Sequence, residues 1–333
     1  MLLSIVIPHY NIPKELLMQC IESIMAQGMP QEEYEIIIVD DGSVTPPEWI
    51  GDTYKEKNIR LISNAHGGPG AARNKGIEEA QGKYIQFVDA DDYLLVNGQM
   101  KQCLDRLQEE WPQIMRFGYI VTANRNRAKS GRTKSVKFSH TISGAVHMKE
   151  KNLSGSPCTY FFLKKLATEN NVTFSTDIFH EDEEFNTKLH YHAQTLVESD
   201  ATLYCYCIRE GSTTANSSKE FETKRIDNIF TIIEKIVVFK DKNAANANAI
   251  QRDGITHKLR MLTVDAILNM MYDGRKAKEI YDTCIERLMP IGLFPLHKAS
   301  YSYKYMAFRT LANTRWGMNV LRLIIPKHKP AKR

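Results

Sequence analysis

The sequence lacks any run of about eighteen apolar residues, although 43% of its 333 residues are hydrophobic. A helix that crosses a bilayer needs roughly 20 such residues, so no membrane span is expected. The first residues, 1–8, have no basic start and only a short apolar run, which fits a buried strand better than a secretory leader. We therefore expect the chain to stay in the cytoplasm.

Cysteine pairs of the zinc-binding kind are also missing. The six cysteines are scattered, and no two have the Cys-x-x-Cys spacing. Cys205 and Cys207 stand two apart in an apolar segment and would share one face of a strand. This usage is typical of reduced thiols in the core of a cytosolic protein.

Acidic residues stop at Glu286, whereas ten of the 44 Lys and Arg residues follow it. Residues 1–286 therefore hold 34 basic and 39 acidic side chains, a net charge of −5, although the whole chain carries +5. The body is mildly acidic and only the end is basic. The overall positive charge thus gives no reason to expect a nucleic-acid partner.

The basic end interleaves aromatic and apolar residues with Lys and Arg over residues 300–333. An amphipathic helix of this composition suits an anionic membrane surface, such as the inner face of the cell membrane. Each basic group near such a surface contributes about 1 kcal/mol. The alternative is a helical appendage that packs on the preceding domain, residues 1–217, with its charges in water, and the sequence leaves both open.

Strands and helices alternate through the first ninety residues. This alternation predicts an α/β fold with a mostly parallel central sheet and helices on both faces. Ligands in such sheets bind beyond the carboxyl ends of the strands. Further along, helices are predicted near Phe162–Asn170 and from Glu181 to about Ala193. The predicted strands are Ser4–Ile7, Glu35–Val39, Ile59–Ile62 and Tyr84–Val88.

The pattern becomes helical from about residue 218 onward. We therefore predict a domain at residues 1–217 and a helical C-terminal region with a basic amphipathic tail at residues 218–333.

An acidic turn, Asp89-Ala90-Asp91-Asp92, follows the fourth predicted strand. Two like charges about 4 Å apart repel by about 4 kcal/mol at an effective dielectric near 20. Carboxylates this close at a ligand-binding edge are explained if a cation such as Mn²⁺ or Mg²⁺ sits between them and substrate phosphates. The alternative is an exposed acidic turn that caps the next helix.

A second acidic turn, Asp40-Asp41-Gly42-Ser43, follows the second strand. Its carboxylates could accept hydrogen bonds from a base or a ribose, but Asp-Gly is also common turn chemistry. The glycine loop at residues 67–76 opens a helix whose free backbone N–H groups favour anions, which makes Gly68 and Arg73 candidate nucleotide contacts. It is not a dinucleotide fingerprint, because it follows the third strand and Arg73 replaces the third glycine.

Together these segments resemble glycosyltransferase family 2, whose members have the GT-A fold. Four ordered blocks at matching spacing carry the resemblance, which is strong over residues 1–95, patchy over 150–215 and absent after about 218. It implies a nucleotide-sugar-binding half at residues 1–95 and an acceptor and catalytic half at 96–217. The blocks are Ser4–Asn11, Glu35–Ser43, Gly70–Gly76 and Gly82–Asp92.

The resemblance implies roles in nucleotide binding. Pro8 and Tyr10 would border the base, and Asp41 would bind it, usually as uracil. Asp89 would lie near the ribose, and Asp91 would hold Mn²⁺ or Mg²⁺ on the diphosphate. Asp40 and Asp92 are secondary candidates beside them. His9 departs from the family, which often has a small Thr or Ser there.

The resemblance also implies the catalytic residue. Asp182, in the Glu181-Asp182 pair that opens a helix, would be the general base, a role that typically contributes 10²–10⁴-fold. Glu181 is a secondary candidate, and Arg209 could reach the diphosphate. Without the resemblance, the acidic run at residues 181–184 would simply complement the dipole of its helix.

These expectations amount to an inverting transferase that moves a hexose or N-acetylhexosamine from a UDP-sugar to a saccharide or lipid-linked saccharide. Bacterial surface polysaccharides are the expected product class. One alternative is a nucleotidyltransferase, which would want a basic glycine-rich loop after the first strand, where Pro8-His9-Tyr10-Asn11 stands instead. The other is a non-catalytic saccharide-binding protein, against which the acidic residues argue.

Overall fold

The structure, a computed structural model, describes residues 1–55, 57–123, 134–151, 155–176, 178–209, 218–299 and 301–326. The chain forms two compact units. The first consists of Met1–His147 and Leu153–Ala215, and the second of Met148–Asn152 and Asn216–Arg333. The functional division of the first unit at residue 95 stays a prediction.

An eight-stranded sheet forms the centre of the first unit, in the order β3-β2-β1-β4-β7-β6-β8-β5. The pairs β1–β2, β2–β3, β1–β4 and β6–β8 are parallel, whereas β4–β7, β6–β7 and β5–β8 are antiparallel. The predicted α/β fold is confirmed, and the half of the sheet that comes first in the sequence is all parallel. The strands are β1 (Leu3–His9), β2 (Tyr34–Asp40), β3 (Ile59–Ser63), β4 (Tyr84–Phe87), β5 (Tyr93–Leu94), β6 (Ile114–Thr122), β7 (Tyr160–Leu163) and β8 (Leu196–Cys207).

The parallel strands bring their carboxyl ends to one edge. In the pairing of β1 with β2, His9 lies opposite Asp40, and in the pairing of β1 with β4, Val6 lies opposite Phe87. Both strands of the first pair are almost wholly buried, as their continuous apolar runs predict. Both acidic turns therefore leave the sheet at the same edge.

Helices accompany the sheet, and α3 packs against β1 particularly closely. A Cβ added at Gly76 of α3 would lie 2.2 Å from Cγ1 of Val6, so the approach depends on glycine. The helices of this part are α1 (Lys14–Met25), α2 (Trp49–Thr53), α3 (Gly68–Glu79), α4 (Gln99–Glu110), α5 (Gly144–Glu150), α6 (Lys164–Glu169) and α7 (Glu181–His192).

The predicted helix near Phe162–Asn170 is confirmed over Lys164–Glu169 and wrong at its start. Tyr160–Leu163 forms strand β7 and only Lys164–Glu169 is helical. A short apolar run fits a buried strand and a buried helix equally well, and the pairing of β7 with β4 and β6 decides between them here.

The second unit is helical, as predicted. Among its described residues no helix is both long enough and apolar enough to cross a membrane. Residues 300 and 327–333 of the predicted amphipathic tail lie outside the described residues. The helices are α8 (Lys219–Asn243), α9 (Ala249–Tyr272), α10 (Ala277–Thr283), α11 (Tyr303–Ala312) and α12 (Arg315–Ile324), and one π-helical turn (Cys284–Leu288) follows α10.

Candidate active site

The ends of β1 and β2 are joined by a buried polar cluster. Nδ1 of His9 lies 2.9 Å from Oδ1 of Asp40, and both side chains are about 3% exposed. The Ser43 hydroxyl is 3.3 Å from the same nitrogen, and its backbone N–H donates to Asp40. Asp40, a secondary candidate for nucleotide contact, is thus engaged within the protein. His9, where the family often has a smaller residue, is what engages it.

Asp41 joins the end of β2 to the start of α3. Its carboxylate accepts hydrogen bonds from the Asn64 side chain at 2.9 Å and from the backbone N–H groups of Gly67 and Gly68, the latter at 2.8 Å. Nδ1 of His66 lies 3.0 Å from the same carboxylate. The free N–H groups of α3 thus bind an anion, as predicted, but the anion is a side chain of the protein. Base binding by Asp41 stays a prediction.

Tyr10 provides an exposed aromatic surface beside this corner. Its ring stacks on His66 with the ring centroids 4.4 Å apart, and the tyrosine is 46% exposed. Pro8 lies within β1, opposite Val39 of β2. A flat aromatic surface open to solvent suits a nucleobase, which supports the role expected of Tyr10.

Arg73 of α3 occupies a central position. Its guanidinium donates to Oδ1 of Asp89 at 3.0 Å and to Oε1 of Glu181 at 2.9 Å, with the side chain only 8% exposed. The rings of Phe87 and Phe174 lie 6.0 and 5.5 Å from it. Although burial opposes the charge, Asp89 and Glu181 raise the pKa of Arg73 above its usual value. The predicted nucleotide contact is therefore first a link between two acidic segments.

The three carboxylates of the turn after β4 have different surroundings. Asp92 is buried, where it accepts a hydrogen bond from the Tyr204 hydroxyl and another, at 2.7 Å, from the backbone N–H of Cys207. Burial, followed by the charge of Asp89, raises the pKa of Asp92 to about 8. Asp89 and Asp91 are more accessible, with side chains 33% and 22% exposed. Asp92 therefore anchors the turn to β8, and the side chains of Asp89 and Asp91 remain partly exposed.

Arg209, just after β8, meets this turn. Its Nε donates to Oδ2 of Asp91 at 2.5 Å. The sequence placed Arg209 near the diphosphate, and here it pairs with the residue expected to hold the metal. An arginine so close to Asp91 fits a role in binding a negatively charged phosphate.

Asp182 lies in the first turn of α7, immediately after Glu181. Its Oδ1 accepts the backbone N–H of Glu183 at 2.9 Å. The surrounding protein, which excludes water, is the main reason that the pKa of Asp182 is raised well above its usual value, and the charges of Glu181 and Glu183 add to the effect. A carboxylate of raised pKa is a stronger proton acceptor, which suits a general base.

The residues present fit a divalent cation. Asp89 and Asp91 offer hard oxygen atoms in partly exposed side chains at the carboxyl edge of the sheet. Mg²⁺ and Mn²⁺ use few protein carboxylates and complete their shells with water and phosphate oxygens. Within the described ranges no group of three or more His, Cys, Asp or Glu side chains surrounds a cation-sized space. A cation here would therefore depend on its substrate for part of its shell.

The sequence did not reveal the roles of Tyr204, Asn64 and His66. Tyr204 binds Asp92 and also accepts from the backbone N–H of Asp89 at 3.3 Å. These contacts join residues up to 115 positions apart, and no local spacing signals them.

Curated relatives match about three fifths of the chain. The chain is 32% identical over 225 residues to the uncharacterized glycosyltransferase EpsJ of Bacillus subtilis, which covers 62% of this chain and 60% of that protein. It is 33% identical over 220 residues to the poly(ribitol-phosphate) beta-glucosyltransferase of Bacillus spizizenii, covering 63% of this chain and 33% of that protein. The matches thus span between a third and three fifths of these relatives.

Solved structures match along most of the chain. Residues 1–349 of TarS from S. aureus, in complex with UDP-GlcNAc, align with a TM-score of 0.71 over 97% of this chain and 89% of that one, at 19% identity. The mannosyltransferase PcManGT from Pyrobaculum calidifontis, in complex with GDP-Man and Mn²⁺, aligns with a TM-score of 0.55 over 96% and 86%, at 13% identity. These neighbours confirm the expected GT-A fold.

The profile of the family described as "Glycosyl transferase family 2" matches residues 4–170, half of the chain. This range contains both acidic turns, the glycine loop and Arg73. The chain belongs to glycosyl transferase family 2.

Proposed function

We propose that the chain is an inverting glycosyltransferase that moves a hexose or an N-acetylhexosamine from a UDP-sugar to a saccharide acceptor. One observation carries the proposal: Arg73 bridges Asp89, at the edge expected to hold the donor, and Glu181, the neighbour of the expected base. Family membership supports the same activity. The turn expected to hold the donor and the helix that carries the expected base thereby both contact one buried guanidinium.

In the proposed reaction, Asp182 takes the proton of the acceptor hydroxyl as its oxygen attacks the anomeric carbon. The bond from that carbon to the diphosphate oxygen breaks, and the nucleoside diphosphate leaves on the opposite face, so the configuration inverts. Pro8, Tyr10 and Asp41 hold the base, and Arg209 contacts the diphosphate. A bound Mn²⁺ or Mg²⁺ at Asp89 and Asp91 supplies charge neutralisation for the leaving diphosphate.

The names of the relatives and the ligand of one solved structure support a particular class of substrates. TarS is seen with UDP-GlcNAc, and two of the relatives are named as a poly(ribitol-phosphate) beta-glucosyltransferase and a poly(ribitol-phosphate) beta-N-acetylglucosaminyltransferase. A uridine nucleotide and a cell-surface polymer acceptor are therefore the substrates that we propose for this chain.

The activity test is release of UDP from UDP-sugars in the presence of Mn²⁺. Asp91→Asn and Asp182→Asn should each silence a catalyst, whereas Asp105→Asn is the matched control, because Asp105 is an exposed carboxylate on α4 that pairs only locally with Lys101. A protein that binds UDP-sugars without any release of UDP would be a saccharide-binding protein, and the proposal would fail.

The donor is identified by thermal stabilisation. A ligand present at 100 times its Kd stabilises the folded state by about 2.7 kcal/mol. We expect one UDP-sugar to raise Tm more than UDP alone, and only with Mn²⁺ present. Equal stabilisation by nucleotides of every base would contradict the proposed uracil site.

We also propose that the basic tail rests on the inner face of the membrane, where a lipid-linked acceptor would be found. In the described part of the tail, α11 and α12 bury one face within the second unit, including Tyr305, Met318 and Leu321. Packing of the tail on residues 1–217 stays a prediction. The other face leaves large apolar side chains exposed beside basic ones. The exposed apolar residues are Tyr303, Trp316, Leu323 and Ile324.

A further inference from the structure

Two acidic segments of the first unit are joined by a single buried cation. Asp89 begins the acidic turn after β4, and Glu181 begins α7. Arg73 donates one hydrogen bond to each. No other described Arg or Lys joins the turn after β4 to α7 by a salt bridge. We propose that Arg73 is a positioning residue that sets the distance and charge between the donor-binding turn and the base Asp182, acting on the base through Glu181.

The surroundings of Arg73 leave it little freedom. Its side chain is 8% exposed and lies between two phenylalanine rings. Gly70, one turn earlier on α3, is also in contact with this region: an added Cβ there would lie 2.4 Å from the backbone oxygen of Ser175 and 3.2 Å from Cγ of Glu181. The start of α3 and the start of α7 are thus fitted to each other, and Arg73 supplies the polar part of that fit.

The charge balance around the base follows from this geometry. Four described groups that are charged or titratable influence Asp182 or are influenced by it: Glu181 and Glu183 of α7, Arg73 of α3 and Tyr160 of β7. Glu181 raises the pKa of Asp182, whereas Arg73 lowers it. Because Arg73 and Glu181 are bound to each other, they act on the base as one pair with opposing effects.

This role rests on the proposed function, and its test uses the whole chain. Turnover is measured against pH for Arg73→Met, Glu181→Gln and the double variant. Arg73→Met removes a positive charge near Asp182 and should move the acidic limb of the kcat profile to higher pH. Glu181→Gln removes a negative charge and should move the same limb to lower pH. The double variant should return close to the wild-type limb. A residue with only a structural role would not give opposite shifts.

The size of kcat gives a second reading. A misplaced reactive group can lower the rate on the order of 100-fold, so we expect the kcat of each single variant to fall by about that factor. The double variant should lose no more than the larger single loss, because both substitutions break one link. Arg73→Lys keeps the positive charge but loses the guanidinium that donates to both carboxylates. The acidic limb of its pH profile should therefore stay in place while its kcat falls.

The matched control is Arg60→Met. Arg60 also pairs with two carboxylates, Glu35 and Glu79, but Glu35 is near the start of β2, at the other end of that strand from the site. This variant should lose stability without any shift of the pH profile. Two results would overturn the inference. One is a shift of the acidic limb in the same direction for Arg73→Met and Glu181→Gln. The other is a double variant whose loss of kcat is the product of the two single losses.

Failure of the proposed function is separable from failure of this inference. If the wild-type protein releases no UDP, the proposed function falls. The pKa of Asp182 can then still be followed by carboxyl ¹³C NMR, with Asp182→Asn to assign the signal. Opposite movements of that pKa in the two single variants would support the link, and unchanged values would refute it.

Discussion

At the scale of single residues, the carboxylates of the acidic turn after β4 differ in their burial and in their partners. Asp92 is buried against Tyr204 and Cys207, while Asp89 and Asp91 are partly exposed and pair with Arg73 and Arg209. Three carboxylates in four positions look equivalent in the sequence. Their differing exposure makes Asp92 part of the framework and leaves Asp89 and Asp91 as the carboxylates proposed to hold a cation.

Asp182 shows how a functional carboxylate can weaken the fold. Its pKa is raised in the folded state, relative to about 3.9 for an unfolded aspartate, so the folded protein holds this proton more tightly. Its contribution to stability is therefore favourable at low pH, and it is lost as the pH rises from the unfolded pKa through the folded one.

Asp182→Asn should consequently raise Tm at pH 8 while lowering kcat by roughly 10²–10⁴-fold. Asparagine keeps an oxygen that can accept the backbone N–H of Glu183. The gain in Tm should shrink as the pH is lowered toward 5. The check is a series of melting curves across pH beside turnover rates, and a lower Tm for the variant at pH 8 would contradict the raised pKa.

At the scale of elements, the start of α3 connects most of the site. Its first N–H groups bind Asp41, Gly70 faces Ser175, and Arg73 reaches both Asp89 and Glu181. A displacement of this one helix would disturb the corner at Asp41, the acidic turn after β4 and the start of α7 together.

Gly70→Ala should therefore reduce both stability and activity. The new Cβ would lie 2.4 Å from a backbone oxygen, and overpacking of this kind typically costs 1–3 kcal/mol. Turnover should fall more than the loss of folded protein explains, because α7 is displaced. Both are measured on the same sample, by denaturant titration and by UDP release.

The control for this prediction is Gly51→Ala in α2. No atom lies within 4 Å of a Cβ at Gly51, so alanine should be neutral or stabilising by roughly 0.5–1 kcal/mol there. If both alanine variants have the same stability and the same rate of UDP release, the close approach of α3 to residue 175 does not maintain the geometry of the site.

At the scale of the whole molecule, basic charge and exposed apolar side chains occur together on α12. Leu323 and Ile324 are 87% and 69% exposed on α12. Basic residues accompany them, and no acidic residue follows Glu286. This composition is typical of a helix that lies at an anionic membrane surface.

Replacing Leu323 and Ile324 together by serine should weaken binding to vesicles that contain anionic lipid, at unchanged Tm. Binding of the wild type should fall with added salt, because surface charges are screened within about 10 Å at 0.1 M. Vesicle co-sedimentation provides the measurement. Deletion of residues 300–333 should abolish binding.

Val238 offers a matched control for the vesicle experiment. It is an exposed apolar residue on α8, 67% exposed, and Val238→Ser removes a comparable apolar group elsewhere in the second unit. Equal binding by the wild type, the double serine variant and the truncated protein would rule out the membrane surface.

The sequence predicted the part of the fold that local patterns determine. The strands β1, β2, β3 and β4 appear close to their expected positions because their apolar runs and flanking turns are distinctive. β7 was partly assigned to a helix, since only its long-range partners distinguish the two forms. The antiparallel half of the sheet likewise depends on pairings that no local pattern encodes.

For the site, residue types at strand ends named the candidate acids but not their partners. The ties from Arg73 to Glu181 and from Arg209 to Asp91 join residues more than 100 positions apart. Burial, which separates Asp92 from Asp91, also follows from tertiary packing. The roles expected of Asp41, Asp89, Asp91 and Asp182 stay predictions until substrates are bound.

The six cysteines are all free and all buried. Burial raises the pKa of Cys103 and that of Cys284 to about 12, so neither forms much thiolate near neutral pH. Only the thiolate reacts quickly with thiol reagents. Cys284 lies in the second unit and the other five lie in the first. Labelling in increasing denaturant, followed by peptide mass analysis, would thus report separately on the opening of each unit, without any engineered probe.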